Sequence, residues 1–157
     1  MAVFIGTYRY NLDDKGRVVI PAKFRDLLGE NFVLCKDIYN VIGTHRIPAI
    51  CAFPNEKFEA LVEKVDSMPK LPDEENLVAT EFAASADYYE PDKQGRILLP
   101  QYLREYGQLE KEVVVIGHFD HMMIYSASNW EKRNQSRAGE DPYQSESLRK
   151  SFENASL

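Results

Sequence analysis

The sequence predicts an α+β fold built from two copies of one unit within a chain of 157 residues. The first observation is a repeated signature, DDKGRVVIPAKFR and DKQGRILLPQYLR, in which five residues recur at an offset of 79. The second observation is that each signature is followed by the same order of elements: a short helix, an apolar strand, a second strand and the start of another helix. Spaced identities within a shared order of elements indicate an internal duplication. The five identities are Asp13, Gly16, Arg17, Pro21 and Arg25, matched by Asp92, Gly95, Arg96, Pro100 and Arg104.

Each copy begins with a strand, a turn and a second strand. GTYRYNL and ASADYYE are rich in aromatic residues, which favours strands. DDKG and DKQG predict turns, because aspartate can bond the turn backbone and glycine accepts a positive φ. RVVIP and RILLP are short, continuous apolar runs, which predict strands buried on both faces.

The later elements follow from composition and spacing. AKFRDLLG and QYLREYG predict short helices, and the apolar strands after them are FVLC (32–35) and AICAF (49–53), then VVVI (113–116) and MMIYS (122–126). Between the copies, PNEKFEALVEKV and DEENLVATEFAASA predict two acidic helices. A final helix is expected from about residue 127 into the 130s, with a frayed polar tail after Gly139.

The predicted organisation therefore has four segments. Residues 1–53 form the first repeat, 54–84 an acidic helical connector, 85–130 the second repeat, and 131–157 a helix end and polar tail. Within the first repeat, the link at 36–48 is longer than GHFDH, its counterpart in the second, and its role is open.

Net charge is −6, but the charge is unevenly distributed. Residues 54–90 carry ten acidic and three basic side chains, whereas residues 1–53 carry seven basic and five acidic ones. A basic patch can act locally in an acidic protein. The overall charge therefore does not exclude a nucleic-acid partner.

The sequence contains no pattern that predicts a catalytic site, a metal site or a membrane-spanning segment. No P-loop, GxSxG, HExxH or dinucleotide fingerprint occurs, so we expect no enzyme, no catalytic residues, no cofactor and no small-molecule substrate. Cys35 and Cys51 lie in apolar runs and predict buried structural residues, and HFDH (118–121) predicts a turn and not a metal site. With neither a signal-peptide pattern nor an apolar run of about 18 residues, a soluble cytoplasmic protein is expected.

The repeated turns are the candidate site. Their cations can bond phosphates and guanine edges, and arginine does so with two parallel bonds. The candidate DNA-binding residues are Lys15, Arg17, Lys93, Arg96, Arg25 and Arg104. Asp13, Gly16, Asp92 and Gly95 are expected to shape the turns and orient the arginines.

The balance between a structural role and DNA contact differs among these residues. A purely structural role is favoured for Asp13 and Asp92, each of which could pair with the arginine four residues later. DNA contact is favoured for Arg17 and Arg96. For Arg25 and Arg104, DNA contact and a structural role are both open.

The doubled D-x-K/Q-G-R-φ-φ-φ-P-x-x-φ-R signature and the FIGTYRYNLDDKGR opening resemble the MraZ family of bacterial regulators over residues 1 to about 135. This resemblance implies a duplicated, AbrB-like swapped-hairpin β-barrel (a double-split barrel) with flanking helices, in which the two halves interlock. It implies a DNA-contacting D-x-x-x-R motif at Asp13–Arg17 and Asp92–Arg96. The second copy departs from the first in having Gln94 where the first has Lys15.

The resemblance also implies a function. It predicts a sequence-specific transcription factor that is cytoplasmic and nucleoid-associated. This factor would form a ring-shaped homo-oligomer and bind double-stranded promoter repeats of the division and cell-wall gene cluster. Ring size, DNA sequence and direction of regulation stay open.

Two other function classes remain as alternatives. One is an interaction or antitoxin-like module of the same fold, with residues 54–90 as its partner surface. The other is a small enzyme whose site forms between subunits.

Overall fold

The computed structural model describes residues 2–41, 46–69, 74–135 and 146–156, with the side chains of 74–76 left out. The predicted α+β class is confirmed. The first half contains β1 (Thr7–Asn11), β2 (Arg17–Val19), α1 (Ala22–Leu28), β3 (Phe32–Lys36), α2 (Ile38–Val41), β4 (Ile50–Pro54) and α3 (Asn55–Asp66). Then follow α4 (Glu74–Ser85), β5 (Asp87–Tyr89), β6 (Arg96–Leu98), α5 (Gln101–Tyr106), β7 (Glu112–Gly117), β8 (Met122–Ser126), α6 (Ala127–Gln135) and α7 (Glu146–Asn154).

The two halves exchange their first strands. Six strands form one sheet in the order β1-β7-β8-β4-β3-β5, with every neighbouring pair antiparallel. β1 thus pairs with a strand of the second half, with Tyr8 opposite Val115, and β5 pairs with a strand of the first half, with Tyr88 opposite Val33. Matching strands of the two copies occupy mirrored places in this order. The interlocking of the halves is therefore present in the strand pairing.

The remaining strands, β2 and β6, form a separate antiparallel ribbon, with one strand from each half. Past its ends the pairing continues: the Leu99 N–H donates to the Gly16 carbonyl at 3.0 Å, and the Ile20 N–H donates to the Gly95 carbonyl at 2.9 Å. The six-stranded sheet is open, because β1 and β5 lie at its two edges. A closed barrel is therefore not formed, and the predicted barrel is corrected to an open sheet and a ribbon.

The sheet has an apolar core on each face. On one face, the ribbon residues Val18 and Ile97 and the helix residues Phe24 and Leu103 pack against alternate sheet residues such as Ile124. The opposite face is covered by residues of α3, α4 and α6. This second layer comprises Phe58, Leu61, Val65, Phe82 and Trp130, packed on Cys35, Cys51, Val114, Met123 and Tyr125.

The prediction that β2 and β6 are buried on both faces is wrong. Ile97 and Leu99 are fully buried, whereas Leu98 between them is 57% exposed. Only one face of the ribbon meets the core, so alternate side chains point outward even though the run is apolar throughout.

The chain end also differs from the prediction. A helix, α7, spans Glu146–Asn154, where a frayed tail was expected. Ion pairs one turn apart, Glu146 with Lys150 and Arg149 with Glu153, support that helix. Part of the 36–48 link and residues 136–145 lie outside the described residues. No helix in the described part of the chain is long and apolar enough to cross a membrane.

Strand exchange predicts that both halves unfold together. The single tryptophan, Trp130, reports on the second half, and the two buried cysteines, Cys35 and Cys51, report on the first. In urea, tryptophan fluorescence and pulsed thiol labelling should give one common midpoint, because neither half keeps its sheet without the other. Two separated midpoints would show that the halves are independent.

Candidate functional site

Each repeated turn is closed by its own aspartate. One carboxylate oxygen of Asp13 accepts the backbone N–H groups of Lys15 at 3.0 Å and Arg17 at 2.8 Å. Asp92 repeats this arrangement with Gln94 at 2.9 Å and Arg96 at 2.8 Å. The backbone N–H of the following arginine is the main cause that lowers the pKa of each carboxyl below its usual value. Each aspartate therefore holds the backbone of its own turn.

The second oxygen of each aspartate orients an arginine. Arg17 Nε donates to Asp13 Oδ2 at 2.5 Å, and Arg96 Nε donates to Asp92 Oδ2 at 2.8 Å. Arg96 Nη1 also lies 3.8 Å from Asp13 Oδ2, so the two halves meet at this carboxylate. The arginine side chains keep 29% and 26% of their surface exposed. The site thus holds two arginines side by side in fixed directions.

The ribbon register places both arginines on its outer face. Arg17 lies opposite Leu98, and Val19 lies opposite Arg96, while the intervening pair of Val18 and Ile97 points into the core. Lys15 and Lys93 are exposed on the turns that lead into the two strands. Because the strands are antiparallel, these turns lie at opposite ends of the ribbon. Four cations therefore line one elongated surface, which we call the ribbon surface: Lys15, Arg17, Lys93 and Arg96, with Val19 and Leu98 between them.

Arg25 and Arg104 join the two halves. Arg25 Nε donates to the Ile20 carbonyl at 3.2 Å, and Arg104 Nε donates to the Leu99 carbonyl at 3.1 Å. Each guanidinium then packs against the turn glycine of the opposite half. This contact gives both arginines a structural role, and their contact with DNA stays a prediction.

Two features require glycine in the turns: a positive φ and the lack of space for a Cβ. Gly16 has a φ of 81° and Gly95 a φ of 74°. A Cβ at Gly16 would lie 2.7 Å from Cζ of Arg104, and a Cβ at Gly95 would overlap the guanidinium of Arg25. Both positions therefore favour a residue without a Cβ.

Val19 and Leu98 belong to the ribbon surface but were not predicted as site residues. A continuous apolar run hides the alternation that turns them outward, so no local sequence signal separates them from Val18 and Ile97. The signal that could have found them is the duplication itself, since the two residues occupy matching positions two residues after the arginines.

The two cysteines and His121 are buried. Cys35 and Cys51 lie opposite each other on β3 and β4, and burial raises the pKa of both thiols. His121 stacks on Phe53 at 4.3 Å, and burial lowers its pKa. Within the described ranges no group of three His, Cys, Asp or Glu side chains could hold a metal ion. A cavity of about 370 Å³ between α3 and α4 is lined mainly by apolar side chains, including Phe58, Val62 and Phe82.

Substituting a turn glycine should loosen the junction of the halves. Gly16→Ala is expected to lower the free energy of unfolding by at least about 1–2 kcal/mol, the cost of a left-handed alanine, because Arg104 must also move. Gly107→Ala is the control for the backbone conformation, since Gly107 has an ordinary φ of −74°; its Cβ would lie 3.3 Å from the Leu103 carbonyl oxygen, a tight contact that requires only a small shift, so a smaller loss is expected. Urea unfolding measures both variants, and equal losses would contradict this reasoning.

The turn carboxylates should make stability depend on acid pH. Because the folded pKa values of Asp13 and Asp92 are lowered, their contribution is complete above the ordinary carboxyl pKa and is lost as the pH falls through the lowered values. The stability difference between the wild type and the Asp13→Asn/Asp92→Asn variant should therefore be constant above about pH 5 and shrink as the pH falls below about 4. Asp14→Asn, at the exposed neighbouring position, is the control: its free energy of unfolding should fall at acid pH as that of the wild type does.

Comparison with known proteins gives a consistent result. A family model described as "MraZ protein, putative antitoxin-like" matches residues 3–80 and again residues 82–155. A relative from Natranaerobius thermophilus is 38% identical over 133 residues, covering 85% of this chain and 87% of the relative. Another, from Desulfitobacterium hafniense, is 37% identical over 143 residues, covering 91% and 93%.

A third relative, from Acetivibrio thermocellus, is 38% identical over 146 residues, covering 93% of this chain and 94% of the relative. All three carry the name "Transcriptional regulator MraZ". The duplicated signature, the exchanged strands and these matches agree, and the chain belongs to the MraZ family.

Proposed function

We propose that this chain is a DNA-binding transcription regulator and that the ribbon surface is its DNA contact. The observation that carries the proposal is the pair of arginines, Arg17 and Arg96, held side by side on the outer face of the ribbon by the turn aspartates. The names of the three relatives support the same function.

The geometry of the ribbon suits duplex DNA. The major groove, about 12 Å wide, admits a two-stranded antiparallel ribbon, and its floor presents guanine edges that arginine bonds with two parallel hydrogen bonds. Lys15 and Lys93 lie toward opposite ends of the ribbon, where the two phosphate strands that border a groove would pass. Arginine then supplies sequence readout and lysine supplies affinity.

The acidic residues do not oppose this function. The α3 side chains Glu56, Glu59, Glu63 and Asp66 are exposed, but α3 covers the sheet face opposite the ribbon. The whole sheet therefore separates the acidic helices from the ribbon surface. At physiological salt, interactions between exposed charges are screened beyond about 8 Å, so the α3 carboxylates act only weakly at the ribbon surface.

The finer features of the proposal rest on the family resemblance. We propose that the sheet and ribbon correspond to the double-split form of the swapped-hairpin barrel and that protomers assemble into a ring. One protomer offers few cations, so a ring that engages several DNA repeats at once would raise the effective concentration of each contact. We propose promoter repeats of the division and cell-wall genes, including its own promoter, as targets of a cytoplasmic, nucleoid-associated protein.

The second candidate function is an interaction or antitoxin-like module of the same fold. The cavity between α3 and α4 is the observation that favours it, because an apolar groove on the acidic face could accept a partner. Such a module would show no measurable affinity for the duplex, so a DNA-binding assay separates the two functions.

Removing the two arginines should abolish tight DNA binding without unfolding the protein. For the Arg17→Ala/Arg96→Ala variant, we expect about a tenfold or greater loss of affinity per arginine for the duplex upstream of its own gene. Lys15→Ala/Lys93→Ala, which removes the two proposed phosphate contacts, should instead lower the log–log salt slope by about 1.8. Fluorescence anisotropy measures both quantities, on fragments with one, two and three repeats.

The matched control removes the same charge elsewhere. Arg149→Ala/Lys150→Ala deletes two cations from α7, both about two-thirds exposed, and should leave affinity and salt slope unchanged. Circular dichroism verifies folding of both variants. Equal affinity of the wild type and the arginine variant would overturn the proposed contact surface.

A further inference from the structure

The ribbon surface contains two apolar side chains among its four cations. Leu98 is 57% exposed and Val19 is half-buried, and the two are matching residues of the duplication. Their chain neighbours Val18, Ile20, Ile97 and Leu99 are at most 1% exposed and supply the core. Leu98 therefore makes little use of its apolar surface in the folded protein.

The position of these residues relative to the arginines is fixed by the register. Leu98 stands directly opposite Arg17, and Val19 stands directly opposite Arg96, on the outer face. A groove contact that brings the arginines to base edges must bring these two side chains close to the neighbouring base pairs. Directly opposite residues have Cβ atoms about 4.5–5.5 Å apart, between the rise of one base-pair step (about 3.4 Å) and that of two steps (about 6.8 Å), so the two side chains of an opposite pair can reach neighbouring base pairs.

Only one apolar group lies on the floor of the major groove, the C5-methyl of thymine. The larger remaining groups there are hydrogen-bond donors and acceptors, which an aliphatic side chain cannot satisfy, and the C–H edges, such as C5–H of cytosine, offer much less apolar surface than a methyl group. An exposed leucine facing a polar base edge would desolvate that edge without compensation. The chemistry of the pair therefore matches thymine and disfavours the other bases.

We propose that Leu98 and Val19 read thymine methyl groups beside the base pairs contacted by Arg17 and Arg96. This inference rests on the proposed function and adds a specificity element to it. Leucine reaches farther from the backbone than valine, and Leu98 is the more exposed of the two. The two half-sites are therefore read unequally, and the one facing Leu98 depends more on its methyl group.

The test removes the methyl group and nothing else. The duplex upstream of the gene is synthesised once with thymidine and once with deoxyuridine throughout, which needs no knowledge of the recognised sequence. The wild type should bind the thymidine duplex more tightly, by about fourfold for each methyl group buried, the factor that corresponds to about 0.8 kcal/mol per CH₂.

Variants assign the preference to residues. In Leu98→Ala/Val19→Ala the ratio of the two affinities should fall to near one, and Leu98→Ala alone should remove the larger part. Leu98→Gln, of similar length but polar, gives a second variant in which the ratio should also fall. The control Leu77→Ala changes a leucine of α4 that is 71% exposed and should keep the wild-type ratio.

The outcomes separate this inference from the proposed function. If the wild type binds both duplexes equally while the arginine variant loses binding, the function stands and the methyl reading is overturned. The same holds if the thymidine preference survives in full in the double alanine and glutamine variants, because the preference then comes from the DNA itself. If the wild type binds neither duplex, both the function and this inference fail.

Discussion

The ribbon surface depends on one interaction, the packing of each turn against residues of the opposite half. Arg104 of the second half packs against Gly16 of the first, and the Gly16 carbonyl accepts a hydrogen bond from the Leu99 N–H, just after β6. The first half repeats this arrangement on Gly95, with Arg25 and the Ile20 N–H. Each turn is thus held by its own aspartate and by the residues that follow the ribbon strand of the opposite half. Two isolated hairpins of three-residue strands would be marginal in water, so mutual support is what makes the ribbon a rigid platform.

The exchange of strands between the halves also determines where charged and apolar side chains lie. Because the ribbon lies on one face of the sheet and α3, α4 and α6 cover the other, the sheet stands between the ribbon cations and the exposed carboxylates of α3. Both apolar layers are complete without any contribution from the outer face of the ribbon. The side chains on the outer face of the ribbon are therefore not needed for the core, so arginine, lysine and an exposed leucine can occupy that face.

Much of this arrangement was predictable from local sequence, and the unpredicted parts have a common cause. The turns followed from Asp13 and Gly16, and the strands from apolar runs such as VVVI, because these signals act within a few residues. The outward direction of Leu98 was missed because burial depends on which strands a segment meets, and β2 meets β6 across the duplication. The packing of Arg104 on Gly16 is likewise long-range. For α7, two ion pairs one turn apart were a local signal that the prediction did not use, in a segment without an apolar run.

The central claim is that both turns face the same DNA, and site-specific photo-crosslinking tests it most directly. A photoreactive amino acid replaces Lys15, Lys93 or, as a control, Lys57, which is exposed on α3. Irradiation with the upstream duplex should link the protein to DNA from both turn positions and not from Lys57. Crosslinks from Lys57 with none from the two turns would contradict the account, because the acidic face and not the ribbon would then meet the DNA.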